Sequence, residues 1–256
     1  MTIVRAGRRR AEHPAAAVRG PGCAARGTVV VAAVGTAKMA CVTAFADILA
    51  APGVEERCEL RGPIGFMAYH GGNLEWLTDV IAARAADRCG ASLYSVVQPI
   101  GMREHLSSTR VRPEESAALA GFLDHVRVVV TVHGFGRRGL FSSLLLGGRN
   151  RPFAEHVGAA LARHLPAYDV RTELEAIPKR LRGLHAHNPV NLPTHRGVQI
   201  ELPPRVRGSS PMWWDWEGPG LTPHTERLVD GLVEAVSTWD AEADRPTTLG
   251  EPIAST

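Results

Sequence analysis

The stretch Tyr69-His70-Gly71-Gly72-Asn73-Leu74-Glu75 sets a histidine and a glutamate on either side of a glycine pair. On a continuous helix, residues five apart point about 140° away from each other, so a helical His70 and Glu75 cannot share a ligand. A turn at Gly71-Gly72, where glycine accepts backbone angles other residues avoid, folds them toward one point. Imidazole and carboxylate are two of the usual zinc ligand types. The same polar residues also fit a solvated strand-to-helix turn, and the pair alone does not separate the readings. Two further residues share its character. His133 closes the run Val128–Val132, and Glu201 lies in Val198-Gln199-Ile200-Glu201-Leu202. Two histidines and a glutamate with a fourth position open to water make a catalytic zinc set. A second carboxylate would move the water proton, and Glu201 suits that role because apolar neighbours on alternate positions fix its strand; a solvated strand residue is the competing reading.

These residues need elements to hold them. The spacing predicts a short helix over 40–51 and a buried strand over 64–68 delivering His70. A helix along Leu74, Leu77, Ile81 and Ala85 follows, with Glu75 in its first turn and Gly90 as its stop. A strand follows at 92–97, strand character at 105–109, and a helix opened by Pro113 that runs to about His125. The continuous run Val128-Val129-Val130-Thr131-Val132 reads as a strand covered on both faces. Leu144–Leu146 is another strand, and Asn150 with Pro152 starts a helix to about Leu165. The alternation at 198–202 is a strand with Val198, Ile200 and Leu202 on one face and Gln199 and Glu201 on the other, and Thr222-Pro223 opens a last helix. Alternating strands and helices predict an α/β domain with a mostly parallel sheet, whose sites form at the carboxyl ends of strands. His70, His133 and Glu201 all fall at or near such ends.

The 256 residues suffice for one domain with a substantial core, and 45% hydrophobic with 21% charged residues is ordinary globular composition. A net charge of +3 gives no argument for nucleic acid, and no apolar run is long enough to span a bilayer. Cys23, Cys41, Cys58 and Cys89 form no Cys-x-x-Cys pair, which excludes a thiolate zinc ribbon and leaves free thiols in a reducing cytoplasm as the expectation. Residues 1–38 read as a disordered extension or the product of a start upstream of Met39, and secretion is disfavoured because the Arg8-Arg9-Arg10 cluster stands far from the apolar run that follows it. The expected organisation is a folded domain over 40–239 and a disordered tail over 240–256. His185, His187 and His195 cluster in sequence without ligand-like spacing. Arg149, after a glycine pair and before a helix start, is either a fork for a substrate carboxylate or a surface or helix-start ion pair.

The order of these pieces carries a resemblance. His70-Gly71-Gly72-x-x-Glu75, Val132-His133-Gly134, Leu146-Gly147-Gly148-Arg149-Asn150, Asn188-x-x-Asn191 and Gly197-Val-Gln-Ile-Glu-Leu-Pro203 together resemble the poly-gamma-glutamate hydrolase family of bacteriophages and bacteria, over roughly residues 64–207. The resemblance implies a zinc-dependent hydrolase with a carboxypeptidase-A-like core, a single mixed, mostly parallel sheet between helices. It implies His70, Glu75 and His133 as zinc ligands and Glu201 as general base, with Arg149, Asn188 and Asn191 as substrate contacts. The implied substrate is a γ-glutamyl polymer or a similar acidic amide. The chain departs from the family pattern at Ser108–Pro113, where Arg110 and Arg112 stand in place of an acidic residue before the proline. Two competitors are an N-acyl amino acid deacylase on a related fold and a non-catalytic metal-binding protein.

Overall fold

Val128 to Val132 is buried on both faces because it lies at the middle of a seven-stranded sheet. The computed structural model describes residues 44–240. The extension over 1–38, Met39, Cys23, Cys41 and, apart from Asp240, the tail over 240–256 therefore lie outside the described residues. In chain order the elements are α1 (Phe45–Leu49), β1 (Glu55–Glu59), β2 (Ile64–Gly72), α2 (Thr78–Cys89), β3 (Ser92–Gln98) and α3 (Ala117–His125). There follow β4 (Val128–Gly134), β5 (Ser143–Gly147), α4 (Arg151–His164), β6 (Asp169–Arg171), β7 (Gly197–Leu202) and α5 (Pro223–Thr238).

The strand order is β1-β3-β2-β4-β7-β5-β6. The β3·β2, β2·β4, β4·β7 and β5·β6 pairs are parallel, and the β1·β3 and β5·β7 pairs antiparallel. This is the mixed, mostly parallel sheet expected for a carboxypeptidase-like core. Strand alternation divides the apolar residues between two layers. Phe66, Ala68, Val128, Val130, Val132, Val198, Ile200 and Leu202 pack with α2, α4 and α5. Met67, Tyr69, Tyr94, Val96 and Val129 face the other way, against α1 and α3. By the same alternation His133, Gln199 and Glu201 belong to the α1/α3 side.

Three local expectations differ from the structure, and one element has no counterpart among them. The polar segment after Pro52-Gly53 is the edge strand β1, paired from Glu55↔Val97 to Glu59↔Leu93; its charges suit an edge that must not recruit another strand. The helix after Glu75 begins only at Thr78, because Gly72 and Leu77 both take positive φ (68° and 67°) and hold 73–77 as a turn. Glu75 sits in that turn, not in the helix, with its N–H on the His70 carbonyl at 2.9 Å. Residues 105–107 form no ladder, since the Leu106 carbonyl is taken by the His70 ring. The segment opened by Pro113 is a single 3₁₀ turn, and α3 starts afresh at Ser116, whose hydroxyl caps the Leu119 N–H.

Candidate metal centre

β2 reaches the site through an irregularity. Its register with β3 shifts between Ala68 and Gly71. Such a bulge puts consecutive side chains on one side, and both Tyr69 and His70 meet the His133 ring, at centroid distances of 4.9 and 5.0 Å. The two glycines then allow a close turn. A Cβ on Gly71 would come within 2.6 Å of the Asp79 side chain, and one on Gly72 within 2.2 Å of the Gln98 carbonyl. Asp79 accepts the Gly72 N–H at 2.9 Å, tying α2 to the strand end. Leu77 carries the opposite burden. A branched side chain at φ 67° costs about 1–2 kcal/mol, and it closes the turn that presents Glu75.

The turn brings Glu75 between the two histidines. Its Oε1 lies 2.9 Å from His70 Nδ1 and its Oε2 3.2 Å from His133 Nδ1. Among the described residues, these three are the group of metal-ligating side chains that converges, with donor atoms within 4.8 Å of one another. The outer ring nitrogens are also occupied: His70 Nε2 faces the Leu106 carbonyl at 2.8 Å and His133 Nε2 the Tyr69 hydroxyl at 2.9 Å. A carbonyl only accepts, so Nε2 of His70 carries the hydrogen and the neutral ring leaves Nδ1 bare. A bare Nδ1 facing a carboxylate oxygen sets lone pair against lone pair. Only a cation between them, either a proton on the ring or a metal, makes that arrangement favourable. Burial pushes the Glu75 carboxyl up, but His70 and His133 outweigh it and hold the group well below the usual carboxylate range. The set is therefore two imidazoles and one ionised carboxylate, with orienting acceptors behind both rings, and it fits a catalytic zinc site.

Glu201 stands beside this set. It pairs in register with His133 across β4 and β7 and is 5% exposed. Burial pushes its carboxyl up to about 7, partly opposed by the charges of His133 and Arg207 and the Gln199 hydrogen bond. Its Oε1 accepts from Gln199 Nε2 at 2.8 Å. The buried Arg207 guanidinium donates to the carbonyls of Leu202 and Trp76, at 3.1 and 2.6 Å, and bridges the end of β7 to the Glu75 turn. It lies so close to Gly134 that a Cβ there would sit 2.7 Å from its Cζ. Sequence reasoning missed Arg207, because nothing in the primary structure distinguishes it from the chain's other arginines. It also gave no role to Gln199, although placing Gln199 on the Glu201 face was the signal that could have found it.

Of the remaining expected residues, Arg149 and Asn191 sit farther out, and Asn188 lies against the partners of His133 and Glu201. Arg149 is exposed, its Nε on the Leu184 carbonyl. The next residue's N–H binds the Gly197 carbonyl, which sets Arg149 level with the start of β7. That is four residues from Glu201, about 13 Å along a strand. Asn191 accepts the Arg149 N–H and donates to the carbonyls of Gly183 and His185, so it holds the 183–191 loop. Asn188 is 3% exposed and its amide is engaged with Tyr69, Val190 and Gln199. His185 and His187 are exposed with rings 5.3 Å apart, and His195 does not join them in a metal-binding group. Cys58 and Cys89 are free thiols, both with pKa raised by burial. No helix of the described residues is long and apolar enough to cross a membrane.

The family model described as poly-gamma-glutamate hydrolase matches residues 47–212. A solved bacteriophage poly-gamma-glutamate hydrolase superposes with a TM-score of 0.61 at 20% identity, covering 72% of this chain and 88% of the other. A structure described as zinc-free apo YNDL superposes with a TM-score of 0.60 at 17% identity, covering 72% and 90%. No curated protein matches the chain.

Proposed function

The chain belongs to the poly-gamma-glutamate hydrolase family, and from that premise and the site geometry we propose that it is a zinc-dependent hydrolase cleaving γ-glutamyl amide bonds in an acidic polymer. The observation that carries the reading is the pair of Nδ1 atoms turned onto one ionised carboxylate, with both outer nitrogens held by oxygens. Zinc held by His70, Glu75 and His133 would polarise the scissile carbonyl and lower the pKa of water. Glu201 takes the proton from the attacking water and returns it to the leaving nitrogen, so that the C–N bond breaks to a carboxylic acid and an amine. A carboxyl raised to about 7 is suited to both halves of that exchange, because neither protonation state is strongly disfavoured near neutrality. Arg207 supplies fixed positive charge beside Glu75 and Glu201. Arg149, level with the start of β7, would hold a more distant carboxylate of an extended substrate rather than the residue being cut. Asn191 sets the loop against which Arg149 lies.

The experiment is metal content and turnover measured together. The natural chain should hold about one zinc, as expected of a His₂Glu site, lose it in His133→Ala, and release γ-glutamyl fragments from the polymer but no product from small N-acyl amino acids. Turnover of the acyl-amino acids alone would move the substrate assignment to a deacylase. Zinc binding without turnover of either would leave a metal-binding protein. No zinc in the natural chain would remove the mechanism.

A further inference from the structure

Three buried side chains beside the site, two of them already met as partners of His133 and Glu201, touch one another in sequence. His133 Nε2 lies 2.9 Å from the Tyr69 hydroxyl, which lies 3.4 Å from Asn188 Oδ1. Asn188 Nδ2 donates to Gln199 Oε1 at 2.8 Å, and Gln199 Nε2 donates to Glu201 Oε1 at 2.8 Å. Tyr69, Asn188 and Gln199 are 2%, 3% and 4% exposed, so water does not substitute for these links.

The two amides are each oriented by a separate backbone group, and the other directions follow from them. The Val190 N–H, 3.3 Å from Asn188 Oδ1, needs an acceptor there and forbids the flipped amide. The Leu181 carbonyl, 3.5 Å from Gln199 Nε2, needs a donor there and fixes the second amide in the same way. With both amides set, Tyr69 donates to Asn188 and its oxygen accepts from His133, where the Ser108 side chain also hydrogen-bonds it. Every donor then points from His133 toward Glu201. Two consequences meet at the reacting centre. His133 carries its hydrogen on Nε2, which leaves Nδ1 bare toward Glu75. Glu201 has Oε1 committed as an acceptor, which leaves Oε2 for the proton it moves.

We propose that Tyr69, Asn188 and Gln199 are positioning residues acting as one directed hydrogen-bond chain, which fixes the His133 ring at one end and the Glu201 carboxylate at the other. The proposal rests on the hydrolase reading but adds to it a hydrogen-bonded path between ligand and base, beside the direct charge interaction of these cross-strand neighbours. The coupling runs through residues far apart in sequence that the β4·β7 register and the 183–191 loop bring together.

The test uses the full chain, Tyr69→Phe, Gln199→Met and the double variant, with thermal melts to establish folding. Zinc affinity is measured by chelator competition, and kcat and KM on poly-γ-glutamate at saturating zinc. Loss of such supporting contacts typically weakens metal affinity or activity by roughly 10- to 100-fold. Gln199→Met should keep zinc affinity within about 3-fold and lose kcat by roughly that 10- to 100-fold factor, with KM unchanged. Tyr69→Phe should lose a similar factor in zinc affinity, and kcat as well, because Asn188 and then Gln199 lose their anchor. The double variant should have the kcat of Gln199→Met alone, since members of one unit are not additive. Losses that multiply in the double variant overturn the chain in favour of two separate sites. Natural affinity and kcat in both single variants overturn it outright. Should Gln199→Met fail to fold, Tyr69→Phe decides: an unchanged kcat at saturating zinc refutes the coupling. The natural chain is measured first. Absence of zinc there overturns the metal reading and the proposal with it. Zinc without turnover overturns only the substrate assignment, and Tyr69→Phe is then judged on zinc affinity, natural affinity refuting the chain.

Discussion

Replacing Glu201 by glutamine should make the metal-free protein more stable while abolishing hydrolysis, and the gain should depend on pH. Burial raises the Glu201 carboxyl from an ordinary 4.5 to about 7. Below the unfolded value the group is protonated in both states and costs nothing. Between the two values the unfolded chain releases the proton and the fold retains it, so stability falls as pH rises, reaching its full loss above the folded value. The gap of about two and a half units, at 1.36 kcal/mol each, is on the order of 3 kcal/mol. Glutamine has no such titration and keeps an oxygen to accept the Gln199 N–H, so the Glu201→Gln variant loses the penalty without losing the hydrogen bond. For a domain of this size, about 3 kcal/mol corresponds to a Tm difference of roughly 6–12 °C. The assay is thermal melting of chelator-stripped natural and variant proteins at pH 5 and pH 9. The variant's advantage should open by about 2–3 kcal/mol between those conditions and shrink when zinc is added, because a nearby cation favours the carboxylate. An advantage that is the same at both pH values would show that Glu201 ionises in the fold as freely as in water, and would remove the basis for its dual role as base and acid.

The other expectations concern the surrounding frame. Zinc at one hundred times its Kd should stabilise the natural chain by about 2.7 kcal/mol, seen as a rise in Tm that His133→Ala does not show. Arg207→Met removes a positive charge that lowers the Glu201 pKa. Because the base must be ionised to accept the water proton, the acid limb of the kcat/KM profile should move to higher pH, and a profile that stays put would separate Arg207 from Glu201. Gly197→Ala should prevent folding, since a Cβ there would lie 2.1 Å from the Val129 carbonyl in the central β4·β7 pair. A backbone cannot give way as a side chain does, and the cost exceeds the roughly 1–3 kcal/mol of ordinary overpacking; a cooperative melt near that of the natural chain would refute the register.

How much of this was legible in the sequence follows from the range of the interactions involved. The residues proposed to deliver chemistry sit where a local pattern ends. His133 closes a run of five residues whose apolar continuity already required a covered strand, and Glu201 alternates against Val198, Ile200 and Leu202, which do enter the core. Helix ends were legible for the same reason: Asn150 caps the Phe153 N–H, and Gly90 takes the left-handed conformation that ends α2. Where the controlling contact came from elsewhere, local reading failed. Glu55–Glu59 is a strand only because β3 offers it a ladder, and 105–107 is not one because His70 claims the Leu106 carbonyl. Asn188 shows the limit most clearly. From its motif it resembled a substrate contact, yet its amide lies between Tyr69, 119 residues away, and Gln199, eleven away, and no pattern within either segment reports that pairing. A sequence can thus bring out residues such as His70, Glu75 and His133, which the fold does bring together, because strand and helix periodicities place them. It does not reveal which residues aim them, because aiming is done by contacts that exist only after the sheet has closed. In this protein those contacts pass through a buried polar chain where an apolar one would cost less desolvation. That cost is the physical counterpart of holding Glu201 and His133 in fixed attitudes.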